Sequence, residues 1–197
     1  MENFDEPGTG RGAGVDSYSD NDSDDHGAES NGGKSYREGT GVDIYKKATG
    51  YVVGYNQAGE WLEYTVNVKE AGDYTMYAAV ASANATSGFQ LSIDDKNITE
   101  EIAVPKNDGE ENFDDYNKVK ANVTLPAGEH ILRFTVTGDW MDIDYINFVA
   151  GKDAADSDPL EGTTAIKGVK LASASTASFD VFDLTGKKVA SFTARNM

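Results

Sequence analysis

The strongest constraint on the fold is a period of two in the apolar residues of the central part of the chain. Apolar and polar residues alternate in the segments 62–68, 89–93, 119–125 and 132–136. This is the pattern of strands that bury one face. Turn residues separate these segments, at 70–73, 93–97 and 126–129. Helical periodicity is missing over any stretch of about ten residues. The sequence therefore predicts an all-β chain, folded as an antiparallel β-sandwich of the jelly-roll type.

Composition divides the chain into three parts. Residues 151–162 are small and polar, contain one Pro and show no apolar periodicity, which is typical of a linker. Residues 163–197 carry a net charge of +3. Since the whole chain carries −17, residues 1–162 carry −20. We predict a β-sandwich over 1–150, a linker over 151–162 and a partial β segment over 163–197. Within the last part, two alternating stretches flank Leu-Thr-Gly-Lys in 178–190 and predict a short C-terminal β-hairpin-like extension.

Charge and composition also exclude several partners. The chain has 34 Asp and Glu against 17 Lys and Arg, so a nucleic-acid phosphate backbone would be repelled. Its apolar runs are all shorter than the roughly 18 residues that a membrane span needs. The sequence contains no Cys, which excludes disulfides, zinc thiolates and a Cys nucleophile. We therefore expect neither a nucleic-acid nor a membrane partner.

The acidic run 20–27 does not match a calcium loop of the EF-hand type. That loop needs Gly at its sixth position and Glu at its twelfth. Counted from Asp20, the twelfth residue is Asn31; counted from Asp22, it is Gly33. The EF-hand is rejected in both registers. A solvated acidic loop and a loop that contacts an ion or ligand both remain open.

Two further features have open interpretations. Strict alternation places Asp142 and Asp144 on one strand face with Ile146 and Phe148. Carboxylates in such a place need a salt bridge, hydrogen bonds, a cation or a polar ligand. Trp61 lies on the strand face opposite its apolar neighbours, so it is either an exposed aromatic platform or a ring covered by a loop.

The sequence carries no positive signal for catalysis. Its many carboxylates include no pair that stands out as the acid and nucleophile of a glycosidase, and it lacks a Gly-x-Ser-x-Gly turn. We expect a protein that is not an enzyme. The alternatives are a small glycoside hydrolase or esterase that uses other carboxylates, and a cell-surface domain that binds another protein.

Seven motifs, in order over about residues 1–150, closely resemble family 6 carbohydrate-binding modules. They are Glu2-Asn-Phe-Asp, Asn31-Gly-Gly-Lys-Ser-Tyr-Arg37, Gly41-Val-Asp-Ile-Tyr45, the stretch from Val53 to Val66, Ala71-Gly-Asp-Tyr-Thr75, Leu125-Pro-Ala-Gly-Glu-His130 and Asp142-Ile-Asp-Tyr-Ile-Asn-Phe148. The resemblance implies a monomeric, non-catalytic β-sandwich attached to the catalytic domain of a secreted polysaccharide-degrading enzyme. It places the protein outside the cell or on a bacterial cell surface.

The resemblance also implies a sugar site at the loop edge of the sandwich. Tyr36 corresponds to one aromatic wall, and Phe113 and Tyr116 take the places of a Trp-x-x-Trp pair on the other. Asp142 stands where the family has an Asn that hydrogen-bonds the sugar. Pyranose C–H groups pack on aromatic faces while hydroxyls need polar partners. Such a site typically gives a Kd between about 1 mM and about 1 μM, and a xylan-like plant cell-wall β-glycan is the expected ligand.

A structural calcium ion is the last implication for the sandwich. Its expected ligands are the Glu2 carboxylate, the Arg37 carbonyl and the Asp144 carboxylate. Oxygen ligands of this kind suit Ca²⁺. Residues 163–197, in turn, resemble the opening of the C-terminal sorting domains of bacterial type IX secretion.

Overall fold

The computed structural model describes residues 1–7, 16–22, 24–47, 50–156, 176–182 and 188–195. The chain forms two compact units, Met1–Ser157 and Asp158–Met197, and each is described by itself. The described residues of the first unit form a 3₁₀ helix, Ala28–Asn31, and eleven strands. The strands are β1 (Tyr18–Ser19), β2 (Ile44–Lys47), β3 (Gly50–Val53), β4 (Trp61–Val68), β5 (Gly72–Ala81), β6 (Gly88–Ile93), β7 (Lys96–Asn97), β8 (Ile102–Ala103), β9 (Asn117–Leu125), β10 (Gly128–Gly138) and β11 (Asp142–Ala150).

The eleven strands form two sheets in which every pairing is antiparallel. One sheet has the order β1-β4-β10-β6-β7, with β8 also paired to β6. The other has the order β2-β3-β11-β5-β9. The four alternating segments of the sequence fall within β4, β6, β9 and β10. The predicted antiparallel β-sandwich is confirmed. In the described part of the chain, no helix is long and apolar enough to cross a membrane.

The core lies between the two sheets and is built from alternate residues of their strands. Phe89 of β6 and Phe134 of β10 stack with ring centroids 4.7 Å apart, and both are fully buried. Met76 and Val80 of β5 belong to the same buried cluster. Each such side chain contributes about 1.5–3 kcal/mol when it leaves water. The period of two in the sequence is therefore the pattern of this core.

Strand β11 contains a bulge that corrects one prediction. Ile143 pairs with Val80 and Tyr145 pairs with Ala79, so Asp144 is an extra residue between them. A bulge of one residue reverses the alternation of side chains beyond it. Ile143 therefore shares the core with Ile146 and Phe148. The prediction that Asp142 lies on the same face as Ile146 and Phe148 is wrong.

The first six residues of the predicted linker lie on the outer face of β5. The Thr75 hydroxyl donates to the Gly151 carbonyl at 2.7 Å and accepts the Ala154 amide at 2.9 Å. The Tyr77 hydroxyl donates to the Ala154 carbonyl at 2.6 Å. Residues 151–156 thus bond to the sandwich, whereas 157–162 lie outside the described residues. The boundary at residue 150 stays a prediction.

The described residues of the second unit form one pair of strands, β12 (Thr176–Phe182) and β13 (Lys188–Arg195), which run antiparallel. They confirm the predicted C-terminal hairpin-like extension. The residues 163–175, 183–187, 196 and 197 of the predicted β segment lie outside the described residues. Two paired strands are common to many folds, so they add no support to the resemblance to a sorting domain.

Candidate functional site

A cleft of about 600 Å³ opens at one end of the sandwich, a volume in the range of small-molecule sites. Its lining comes from β2, from the first residue of β11, from the loops that follow β3, β8 and β10, and from the segment before the 3₁₀ helix. The aromatic members are Tyr45, Tyr55, Phe113 and Trp140. The charged members are Lys47, Glu111, Asp114 and Asp142, and His26 completes the set. The cleft therefore combines apolar rings with a few polar groups, as a ligand site does.

Two aromatic rings of the cleft are unusually exposed. Tyr55 is 45% exposed and Trp140 is 43% exposed. Their ring centroids lie 6.1 Å apart and their planes meet at 79°. Tyr45 and His26 contact Tyr55 with centroid distances of 5.8 and 5.1 Å. Large exposed apolar surfaces mark interaction sites, so these rings present a binding surface.

The backbone is strained at three residues of the cleft. Tyr55, Glu111 and Trp140 have φ angles of 52°, 57° and 62°. Bulky residues rarely adopt this left-handed region, and such strain concentrates at ligand-binding sites. Asn56 supports the arrangement, because its carbonyl accepts the Trp140 amide at 2.9 Å and its side-chain amide donates to the Met141 carbonyl at 2.6 Å. The loops that carry Tyr55 and Trp140 are thus linked.

The polar floor of the cleft centres on Asp142, which is 2% exposed. The Tyr45 hydroxyl donates to its Oδ1, and Lys47 Nζ lies 3.2 Å from its Oδ2. Burial raises the pKa of the Asp142 carboxyl, and the contacts with Tyr45 and Lys47 oppose this shift. Lys47 Nζ also donates to Asp114 Oδ1 at 2.7 Å. Burial lowers the pKa of Lys47, but its bonds to Asp114 and Asp142 outweigh burial and raise the pKa.

Two phenols beside the floor remain protonated. Burial raises the pKa of Tyr45 and of Tyr116 above that of a free phenol, and the charge of Asp142 adds to both shifts. The Tyr116 hydroxyl is buried and makes no hydrogen bond within the described residues. Tyr45 is therefore a hydrogen-bond donor to Asp142. Tyr116 is not among the residues that line the cleft.

The structure brings together part of the predicted sugar site. Phe113 and Asp142 line the cleft, and Tyr116 lies close enough to feel the charge of Asp142. Tyr36 is not among the lining residues. Tyr36 is 39% exposed, and its ring packs on Tyr51 of β3 with centroids 4.3 Å apart, so its role as an aromatic wall stays a prediction.

Sequence reasoning named two of the nine described cleft residues, Phe113 and Asp142, and missed the other seven, among them Tyr55, Trp140 and Lys47. Tyr55 lies inside the motif from Val53 to Val66, and Trp140 lies two residues before the motif that begins with Asp142. Their proximity to recognised motifs was a usable signal. Lys47 lies two residues after the motif that ends at Tyr45, but its contact with Asp114 depends on the pairing of β2 with β3 and on the fold of the 105–116 loop.

The predicted calcium ligands already have hydrogen-bond partners within the chain, and the Asp144 contact is made by its backbone carbonyl rather than by the predicted carboxylate. The Met1 ammonium donates to Glu2 Oε2 and to the Asp144 carbonyl, both at 3.0 Å. The Arg37 carbonyl accepts the Thr40 hydroxyl at 3.0 Å. The donor set consists of oxygens, which suits Ca²⁺ in chemistry. Within the described residues, no group of three His, Cys, Asp or Glu side chains is placed to hold a metal.

Trp61 and the acidic run 20–27, which the sequence left open, both have partners in the structure. The Arg133 guanidinium lies 4.1 Å from the ring centre of Trp61 and pairs with the buried Glu63 at 2.7 Å. Trp61 is therefore covered, by a side chain rather than by a loop. In the acidic run, Asp20 and Asp22 accept backbone amides two residues ahead, at 3.1 and 2.9 Å. These side chains form turns of their own.

Comparison with protein families identifies this region of the chain. The model of the family described as "Carbohydrate binding module (family 6)" matches residues 33–150. A search of curated proteins gave no significant match.

Several solved structures are similar to this chain. The C-terminal family 6 module of the laminarinase LamC from Zobellia galactanivorans is 23% identical, with a TM-score of 0.51 over 55% of this chain and 87% of that one. A module of lichenase 5A from Cellvibrio mixtus, solved with cellotriose, is 23% identical, with a TM-score of 0.49 over 56% and 86%. A module from Clostridium cellulolyticum, solved with xylose, is 20% identical, with a TM-score of 0.47 over 54% and 85%.

Proposed function

The chain belongs to the carbohydrate-binding modules of family 6, which are non-catalytic, and on that premise we propose that its cleft binds a plant cell-wall β-glycan, xylan-like in the first instance. The observation that carries the proposal is the pair of exposed rings, Tyr55 and Trp140, at the mouth of a cleft with a polar floor. Phe113 adds a third aromatic surface.

The chemistry of a sugar matches this combination. The C–H groups of a pyranose pack on aromatic faces, and its hydroxyls hydrogen-bond to polar groups beside the rings. The planes of Tyr55 and Trp140 are nearly perpendicular, so one flat ring cannot stack on both at once. We propose that one sugar stacks on Tyr55 or Trp140 and that its neighbour contacts the other ring.

Calorimetric titration tests the proposal. The probes are xylotetraose, cellotetraose and laminaritetraose, chosen because similar structures hold xylose or cellotriose or belong to a laminarinase. We expect Trp140→Ala and Tyr55→Ala to weaken binding by about tenfold or more, since each removes a stacking face. Tyr36→Ala is the matched control and leaves the affinity unchanged. The proposal is contradicted if none of the three probes gives a heat of binding. It is also contradicted if Tyr36→Ala is the one variant that loses affinity.

A structural calcium ion is a second proposal. The support is the resemblance to the family, which assigns the Glu2 carboxylate, the Arg37 carbonyl and the Asp144 carboxylate as ligands, all of them oxygens that suit Ca²⁺. A bound Ca²⁺ would join the N-terminal segment to β11 and would raise the melting temperature, because it binds the folded state. We expect this rise on adding Ca²⁺, its reversal by EDTA, and its loss in Glu2→Gln and Asp144→Asn but not in Glu129→Gln. Equal melting temperatures with Ca²⁺ and EDTA contradict the site.

We further propose that the module is monomeric and tethers a secreted polysaccharide-degrading enzyme to its substrate. The support is the resemblance of residues 1–150 to modules of that kind. Light scattering tests the monomer. A comparison of the parent enzyme with and without the module, on insoluble and on soluble xylan, tests the tether. We expect a loss of activity on the insoluble form alone.

A further inference from the structure

We propose that Lys47 is the residue that hydrogen-bonds the sugar in this cleft, and that Asp142 positions Lys47 without contacting the sugar. The inference rests on the proposed function, since it names the polar contact of the same site. The family resemblance assigns that contact to residue 142. The structure points instead to its neighbour on β2.

The surroundings of Asp142 argue against a direct contact with the sugar. The residue is 2% exposed, its Oδ1 accepts the Tyr45 hydroxyl, and its buried Oδ2 lies 3.2 Å from Lys47 Nζ. A carboxylate is an acceptor only and cannot donate as an Asn amide does. A buried charge also needs its partner, because an unpaired one is costly. Asp142 is therefore committed to Tyr45 and Lys47.

Lys47 is better placed to contact the sugar. Its side chain lines the cleft and is 21% exposed, and its ammonium donates to Asp114 Oδ1 at 2.7 Å. A third contact, to the Phe113 carbonyl, is long at 3.5 Å. Asp114 is 83% exposed, and ion pairs with exposed carboxylates are weak. A sugar oxygen can therefore replace Asp114 as the acceptor, while the buried pair with Asp142 stays intact.

This arrangement defines the recognised chemistry. An ammonium has three donors and no acceptor, so it selects oxygen acceptors such as a hydroxyl or the ring oxygen of the sugar. Hydrogen bonds from a charged donor are stronger than neutral ones. The sugar would stack on Tyr55 or Trp140 and accept from Lys47 at the floor. The Lys47–Asp142 pair would thus do the work that the family assigns to an amide.

Titration of four variants with xylotetraose, cellotetraose and laminaritetraose tests the assignment. We expect Lys47→Met to weaken binding of the preferred probe by about tenfold or more, the size of one charged hydrogen bond. Asp114→Asn tightens binding, because it frees the ammonium for the sugar. Lys46→Met, the neighbour on β2 outside the cleft, is the matched control and has no effect. Asp142→Asn weakens binding when it is the single substitution. In a chain that already carries Lys47→Met, it causes no further loss of affinity.

Opposite outcomes separate this assignment from a purely structural role. If Lys47 merely held the Phe113 loop through Asp114, then Asp114→Asn would lose as much affinity as Lys47→Met, and that result overturns the proposal. NMR of the lysine ammonium gives an independent readout: the Lys47 signal must shift on adding the preferred probe, and an unmoved signal also overturns it. Binding by Lys47→Met equal to wild type overturns this inference alone. Absence of binding by the wild-type chain overturns the proposed function as well.

Discussion

Asp43 is a buried carboxyl group beside the acidic turn, and its environment makes it sensitive to pH. It accepts the His26 amide at 2.5 Å. Burial raises the pKa of Asp43 from 3.8 to about 7, the His26 amide opposes the shift, and the charges of Asp20 and Asp22 add to it. The folded chain therefore holds a proton at Asp43 that the unfolded chain has released between these two values. The stability that this proton contributes is full below pH 3.8 and is lost as the pH rises through about 7.

Asp43→Asn tests this link at the residue scale, because Asn keeps the acceptor for the His26 amide but carries no charge. We expect the free energy of unfolding of the wild-type chain to fall more steeply with rising pH than that of the variant. The slopes differ by up to about 1.4 kcal/mol per pH unit in this window. Urea unfolding at a series of pH values measures both slopes. Asp24→Asn, in the same turn but exposed, is the control with the wild-type slope; parallel slopes for Asp43→Asn would contradict the assignment.

At the scale of elements, the segment 151–156 belongs to the sandwich by its contacts. It bonds to Thr75 and Tyr77 on β5, and Asp156 pairs with Lys118 on β9 at 2.8 Å. The small, polar residues 151–156 fit the composition of a linker, yet their backbone makes hydrogen bonds on the outer face of the sheet. The segment therefore covers β5, where Tyr77 is 9% exposed.

Truncation tests that element. A chain that ends at residue 150 should be less stable than one that ends at 156 by about 2 kcal/mol or more, since several hydrogen bonds are lost and the Tyr77 face is uncovered. Thr75→Val in the longer chain should reproduce part of the loss, because it removes the hydroxyl that bonds Gly151 and Ala154. Equal unfolding midpoints in urea for the two chain lengths would show that 151–156 behaves as a linker.

The elements also show what the sequence could predict. Strands β4, β6, β9 and β10 followed from local alternation, because one face of each is buried. The bulge at Asp144 did not, since an extra residue in a strand is visible only once its partner strand is known. The site divides in the same way. Phe113 and Asp142 followed from motif positions, whereas Lys47 depends on a loop that is distant in sequence.

At the scale of the whole molecule, charge is the dominant property. Residues 1–162 carry a net charge of −20 and residues 163–197 carry +3, which together give −17. Such a surface repels polyanions over a Debye length of about 10 Å at moderate salt. A neutral glycan carries no charge on which this field can act. So many carboxylates keep a protein soluble. We expect their negative potential to repel acidic glycans and to leave neutral ones unaffected.

This argument predicts how binding responds to salt. Between about 0.05 M and about 0.5 M NaCl, the Kd for the preferred neutral tetrasaccharide should change by less than about twofold, because stacking and short hydrogen bonds are little screened. A polyuronide should not bind at the lower salt concentration, where repulsion is strongest. Calorimetry at both salt concentrations gives the neutral Kd, and affinity electrophoresis gives the polyuronide result. Tight polyuronide binding at low salt would contradict this prediction. It would mean that attraction to the Lys47 ammonium outweighs repulsion by the net negative charge of the molecule.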